Sequence, residues 1–202
     1  MLSWNCNGLT KSKLEDPDFI SYINGYDVVV LYESWCDKDS ELEINGFECF
    51  NFYRKFKNRN AKRNSGGIVL YCRHELFSGI SIIRNHFDTV VWIKLDKTVL
   101  HLPEDVYLCA VYVWGDSSPA AALYDVDLFH LIQTDIADFD DLGIVLLCGD
   151  WNARVGERVD YVPFDCALVD IDSDDYMSDI NLKRLSCDKG SNSHGAKLIE
   201  LC

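Results

Sequence analysis

The chain has 202 residues, of which 48% are hydrophobic, and carries a formal net charge of −14. That length and apolar content fit one domain with a sizeable core and argue against two. No run approaches the roughly 18 consecutive apolar residues that cross a bilayer, and the opening Met-Leu-Ser-Trp-Asn-Cys has no basic segment leading into an apolar stretch, so a non-secreted protein of nucleus or cytoplasm with no membrane partner is expected.

The first apolar-to-polar transition is Ser3-Trp4-Asn5-Cys6-Asn7-Gly8-Leu9, read as a strand running into a turn. Asp16-Pro17 caps and starts a short helix through Phe19, Ile20, Tyr22 and Ile23, ended by Gly25. A second strand, Val28 to Tyr32, delivers Glu33-Ser34-Trp35 at its end, which makes a βαβ opening. The middle is strand-rich: Gly46 to Tyr53, Gly66 to Cys72, Ile80 to Ile83, Thr89 to Leu95 and Val106 to Val113 are short, aromatic or β-branched, and bounded by turn-like or charged segments. Ser118-Pro119 opens a helix with Leu128, Leu131, Ile132 and Ile136 at helical spacing, finishing near Gly143.

The run Ile144-Val145-Leu146-Leu147-Cys148 then ends abruptly in Gly149-Asp150-Trp151-Asn152. A bounded run apolar on both faces predicts a strand buried between layers, and the carboxyl edge of such strands is where open α/β sheets place their chemistry. Residues 153–193 are polar, acidic and weakly patterned, a surface excursion in expectation, and a last helix begins at about Ser193. The nine cysteines form no Cys-x-x-Cys pair, and Cys72, Cys109 and Cys148 fall in apolar runs, so they read as small buried hydrophobes. No ligand pair is spaced for zinc.

The acidity is awkward for a nucleic-acid enzyme, because phosphate binding normally relies on Lys and Arg. The basic residues cluster, however, in Arg54-Lys55-Phe56-Lys57-Asn58-Arg59-Asn60-Ala61-Lys62-Arg63. That run is either a solvated loop between strands or a phosphate-backbone contact.

Four strand ends thus offer Asn5 and Asn7, Glu33, Tyr112, and the pair Asp150 and Asn152. Each has a plain structural alternative: asparagines before a glycine suit a strand exit, Tyr112 could be a core aromatic with a wet hydroxyl, and Glu33 could serve a salt bridge. Taken together and in order, Trp4-Asn5-Cys6-Asn7-Gly8, the post-strand Glu33, Tyr112 and Gly149-Asp150-Trp151-Asn152 resemble the endonuclease/exonuclease/phosphatase superfamily. Within it the chain looks closest to the apurinic-type endonuclease domains of LINE-type retrotransposons and craniofacial-development-protein-like relatives, whose Arg-x-Ser-x-Asp…Asn-x-x-Gly segment is matched by Arg184, Ser186, Asp188, Asn192 and Gly195.

The resemblance implies a DNase I-like two-sheet α/β sandwich and Mg²⁺-dependent phosphodiester hydrolysis, most directly endonucleolytic nicking of DNA by a monomer. It assigns Glu33 and Asn7 to the metal (Mg²⁺, with Mn²⁺ as the alternative ion), and Asn5, Tyr112, Asp150 and Asn152 to catalysis. Asp150 would orient or deprotonate the attacking water and Asn152 would donate to the phosphoryl group. The chain lacks the family's final Ser-Asp-His, and none of His74, His86, His101, His130 and His194 fits its place. A domain incomplete at the C-terminus, slow in turnover and prone to aggregate, is therefore expected. The alternatives are a phosphatase of the same superfamily acting on a small phosphorylated substrate and a non-catalytic, decayed transposon-derived fragment.

Overall fold

The computed structural model describes residues 1–55, 63–115, 118–161 and 185–201, without the side chains of 119, 120 and 123. Lys57, Arg59 and Lys62 of the basic run, the whole acidic stretch from Asp165 to Asp179, and Arg184 lie outside the described residues. The chain divides into two compact units, Met1–Trp151 and Asn152–Cys202.

The first unit holds two four-stranded mixed sheets. In chain order its elements are β1 (Leu2–Asn5), α1 (Lys11–Leu14), α2 (Pro17–Ile23), β2 (Val28–Tyr32), β3 (Phe47–Phe52), β4 (Ile68–Arg73), β5 (Ile80–His86), β6 (Val90–Leu95), α3 (Lys97–Leu100), β7 (Val106–Tyr112), α4 (Pro119–Tyr124), α5 (Leu128–Phe139) and β8 (Ile144–Asp150). One sheet runs β1-β2-β4-β3 and the other β5-β6-β7-β8. Only β1–β2 and β7–β8 are parallel, so each sheet ends in a parallel pair at one edge. A parallel pair needs a crossover, and helices supply it in both cases. α2 is started as the sequence predicts, with the Asp16 side chain accepting the Asp18 N–H and Pro17 in the first turn.

β2 shows why the core forms. Val28, Val30 and Tyr32 pack with Ile68, Leu70 and Cys72 against Val91, Ile93, Leu108 and Ala110 of the other sheet, while Val29 and Leu31 pack beneath Phe19 and Ile23 of α2. A strand buried on both faces has no place for a polar residue, and Val-Val-Val-Leu-Tyr has none until its last hydroxyl. On the outer face of the second sheet, α5 is pinned by the buried Asp135, whose carboxylate accepts the Trp92 indole N–H at 2.7 Å and lies 2.9 Å from His86 Nε2. Arg84 donates to the same carboxylate and to Asp138. Helices thus cover sheets that pack on each other, the layered arrangement expected from the resemblance.

Two expectations are corrected. β8 is not buried between layers: none of its residues is fully buried, and Ile144 and Leu146 are 45% and 41% exposed. It is an edge strand with only β7 beside it among the described residues, so its unbroken apolar run comes from partial cover on both faces. The single helix expected from Ser118 to near Gly143 is two helices, because Asp125 takes a left-handed conformation (φ 45°) and Asp127 caps α5 anew through the N–H groups of Phe129 and His130.

In the second unit, α6 (Ser193–Leu201) begins where the sequence predicts. The residues of the Arg-x-Ser-x-Asp…Asn-x-x-Gly likeness have local structural work. Asp188 takes Arg154 through two 2.7 Å bonds, and those bonds, followed by the Gly190 N–H, pull its pKa down to about 2. Asn192 ties the N–H groups of Arg154 and Gly195 and the carbonyl of Asn152. A Cβ on Gly195 would sit 2.1 Å from the Arg154 carbonyl, so no larger residue fits.

Candidate active site

Asn5, Tyr112 and Asp150 are the last residues of β1, β7 and β8, and Glu33 follows β2 directly. Parallel pairing places the ends of paired strands level: Asn5 registers with Tyr32, and Tyr112 with Asp150. The two sheets meet at these ends. Asn5 Nδ2 donates to Asp150 Oδ2 at 2.6 Å, and the Tyr112 hydroxyl donates to Glu33 Oε1 at 2.8 Å, each bond crossing from one sheet to the other. Tyr32 adds a third tie, its hydroxyl donating to the Cys148 carbonyl at 3.2 Å and lying 3.3 Å from Ser3 Oγ.

Glu33 is held in a conformation that side chains of its kind avoid, with φ 52°, and Asn7 (49°) and Trp35 (58°) share it. Left-handed backbone costs about 1–2 kcal/mol per L-residue and is tolerated best by Asn. Here the strain is over-determined by neighbours: Gly8 N–H binds the Glu33 carbonyl at 2.7 Å, Leu9 N–H binds that of Ser34 at 2.8 Å, and Trp35 N–H binds Gly66 at 2.9 Å. Such strain concentrates where a side chain must be aimed. Gly149 has a related cause: at φ 151°, a Cβ would lie 1.9 Å from the Val111 carbonyl oxygen, so only glycine lets β8 approach β7 just before Asp150.

Burial, then the hydrogen bond to Glu33 and its charge, push the Tyr112 pKa up; Asp150 adds to this, and Arg54 opposes it. Both carboxylates therefore act on one phenol, which stays protonated as a donor. Among the described residues no three His, Cys, Asp or Glu side chains gather into a metal cluster. Mg²⁺ requires no such cluster, since it commonly takes one or two carboxylates and keeps several waters. Glu33 fits: Tyr112 occupies Oε1, and no described residue bonds Oε2.

The sequence thus locates four groups that the structure joins into one constellation, namely Asn5, Glu33, Tyr112 and Asp150. Asn7 is exposed, with its N–H on Asn5 Oδ1 at 3.0 Å. Asn152 belongs to the second unit, where its backbone is left-handed (φ 45°) and its carbonyl takes Asn192. Arg54 is a correction. It is no free phosphate contact of a basic loop, because its side chain is 9% exposed and locked to the buried Asp88 through Nε and Nη2, at 2.9 and 2.8 Å, with Nη1 on Ser65. Asp88 was missed by sequence reasoning; the only signal is a carboxylate two residues before the apolar run Val90-Val91-Trp92-Ile93. Of the basic run, Lys55 and Arg63 remain exposed, Arg63 stacking over the Trp35 ring at 3.7 Å.

Two mixed sheets packed between helices, with Asn, Glu, Tyr and Asp at converging strand ends, define the DNase I-like α/β sandwich. The chain belongs to the endonuclease/exonuclease/phosphatase family, whose sequence profile matches residues 2–194. Among solved structures it is similar to the catalytic domain of Xenopus laevis APE2, at 16% identity and a TM-score of 0.54 over 80% of this chain and 62% of that one. An AP endonuclease from Archaeoglobus fulgidus is similar at 14% identity and a TM-score of 0.51, over 80% of this chain and 60% of that one. The chain therefore spans about three fifths of each structure. No curated protein matches it in sequence.

Proposed function

We propose that this protein hydrolyses phosphodiesters with Mg²⁺ (or Mn²⁺ in its place), nicking DNA endonucleolytically in the manner of a LINE-type retrotransposon endonuclease domain. The observation that carries the reading is the pair of cross-sheet bonds, Asn5 to Asp150 and Tyr112 to Glu33, which gathers two carboxylates, an amide and a phenol at the strand ends. The similar solved structure named as an AP endonuclease agrees with it. A bound Mg²⁺ would supply charge neutralisation at a non-bridging phosphate oxygen and the template for substrate. Glu33 would hold it, Tyr112 would donate to phosphate, and Asp150, kept in place by Asn5, would accept the proton of the attacking water. Donors fixed before substrate arrives need no reorganisation at the moment of reaction.

The test is nicking of supercoiled plasmid. Activity is expected with Mg²⁺, lost with chelator, and lost in Glu33→Gln and in Asp150→Ala. Nicking that survives Asp150→Ala would overturn the assignment of the base. A second reading, a phosphatase on a small phosphorylated substrate, is favoured by the net charge of −14 and by the commitment of Arg54 to Asp88. Phosphomonoester hydrolysis that depends on Asp150, without plasmid nicking, would select it. Failure of both assays points to a non-catalytic fragment.

A further inference from the structure

Phe87, at the turn between β5 and β6, is left-handed (φ 60°) and 44% exposed. Bulky residues avoid that conformation, and an apolar ring turned toward water adds little to a core. Its surroundings are nonetheless built with care. The next residue, Asp88, is buried, takes Arg54, and lies 3.4 Å from the Tyr124 hydroxyl. Thr89 follows, buried, with its carbonyl accepting the N–H of Tyr112 at 2.7 Å. The Phe87 ring lies 4.5 Å from that of Tyr124, which stacks on Trp114 at 4.8 Å and 12°. Trp114 is itself two residues beyond Tyr112. Three rings, from the β5–β6 turn, the segment after β7 and the end of α4, are thus assembled at the Tyr112 end of β7, with the outermost presented to solvent.

We propose that Phe87, backed by Tyr124 and Trp114, is a stacking platform for a nucleobase of the strand whose phosphodiester is held at Tyr112. The proposal rests on the nuclease reading and names how that site grips its substrate. Every base has a π-face, so stacking on an aromatic ring is tolerant of sequence and does not draw on cations. It therefore gives an acidic chain, whose Arg54 is spent on Asp88, a means of holding nucleic acid that salt weakens less than phosphate contacts.

The experiment measures binding of a labelled single strand of about ten nucleotides, within the span such grooves cover, against a base-free sugar–phosphate strand of equal length, by fluorescence anisotropy with chelator present. The full chain is expected to prefer the base-containing strand. Phe87→Leu, which keeps bulk and removes the π-face, is expected to weaken that binding about 5- to 100-fold with the melting temperature unchanged, and Phe87→Trp to retain it. In cleavage assays the same loss appears in KM with kcat kept. Equal binding of the two strands, absence of any binding, or unchanged binding in Phe87→Leu would overturn the platform. Base-dependent binding lost in Phe87→Leu, in a protein that cleaves nothing, would sink the hydrolytic reading and leave the platform standing.

Discussion

Asn5 and Asp150 are 145 residues apart in the chain and 2.6 Å apart at the junction of the two sheets. The amide donates to that carboxylate and helps fix where it points. Removing a partner that orients a reacting group typically costs about 10–100-fold, so Asn5→Ala is expected to lower kcat on plasmid by that factor with KM little changed. Asn5→Asp places a second carboxyl at the same distance, where two like charges resist ionising together, so one pKa rises. Its pH–rate profile should lose activity at higher pH on the acid side than the wild type; an unmoved acid limb would show that Asp150 is not the titrating base.

Mg²⁺ should stabilise the folded chain through Glu33. A ligand at about ten times its Kd adds roughly 1.4 kcal/mol, which for a chain of this length is a rise of about 3–5 °C in Tm. Calorimetry with and without Mg²⁺ should show the rise in wild type and its absence in Glu33→Gln. An equal rise in both proteins would place the ion elsewhere.

Asp135 serves three donors beneath α5, and Trp92, one of them, is wholly buried. Taking away one partner of a buried ionic network leaves the others uncompensated, at a cost of about 3–5 kcal/mol. Asp135→Ala should therefore shift the urea midpoint strongly downward, while Asp135→Asn, which still accepts from the indole, should lose less. A loss under about 1 kcal/mol for Asp135→Ala, the range of an exposed pair, would mean that apolar packing alone seats the helix.

Alkaline pH should lower the stability of the folded chain. Burial raises the thiols of Cys6 and Cys72 to about 11 and that of Cys49 to about 12, from an ordinary value of 9.0. Above pH 9 the unfolded chain releases these protons while the folded chain keeps them, so stability is whole below pH 9 and falls as pH climbs through 11 to 12. Melting curves in reductant from pH 8 to 11 should show this decline, reduced in Cys49→Ala. A flat profile would contradict the burial of these thiols.

What the sequence makes legible is local. Strand ends carrying Asn5, Glu33, Tyr112 and Asp150 stand out because polar residues follow apolar runs, and the helix from Pro17 announces its cap. Partners far apart in sequence are not legible in the same way. Nothing beside Arg54 announces Asp88, so a buried ion pair passes for a basic loop. Periodicity also cannot tell an edge strand covered in part on two faces from one fully enclosed, as β8 demonstrates.

Among the described residues β8 stands at a sheet edge, and that position couples two properties that are usually independent. An uncovered strand with apolar side chains is a template for the strand of another molecule, and proteins commonly blunt such an edge with a charge, a proline or a bulge. Here the strand runs straight into Asp150, so a blunting residue near its carboxyl end would disturb the register that sets the carboxylate. Colloidal behaviour can be adjusted safely only at the amino-terminal half, at Ile144 or Leu146. Beyond that point, a change made for solubility falls on the residues that set the position of Asp150.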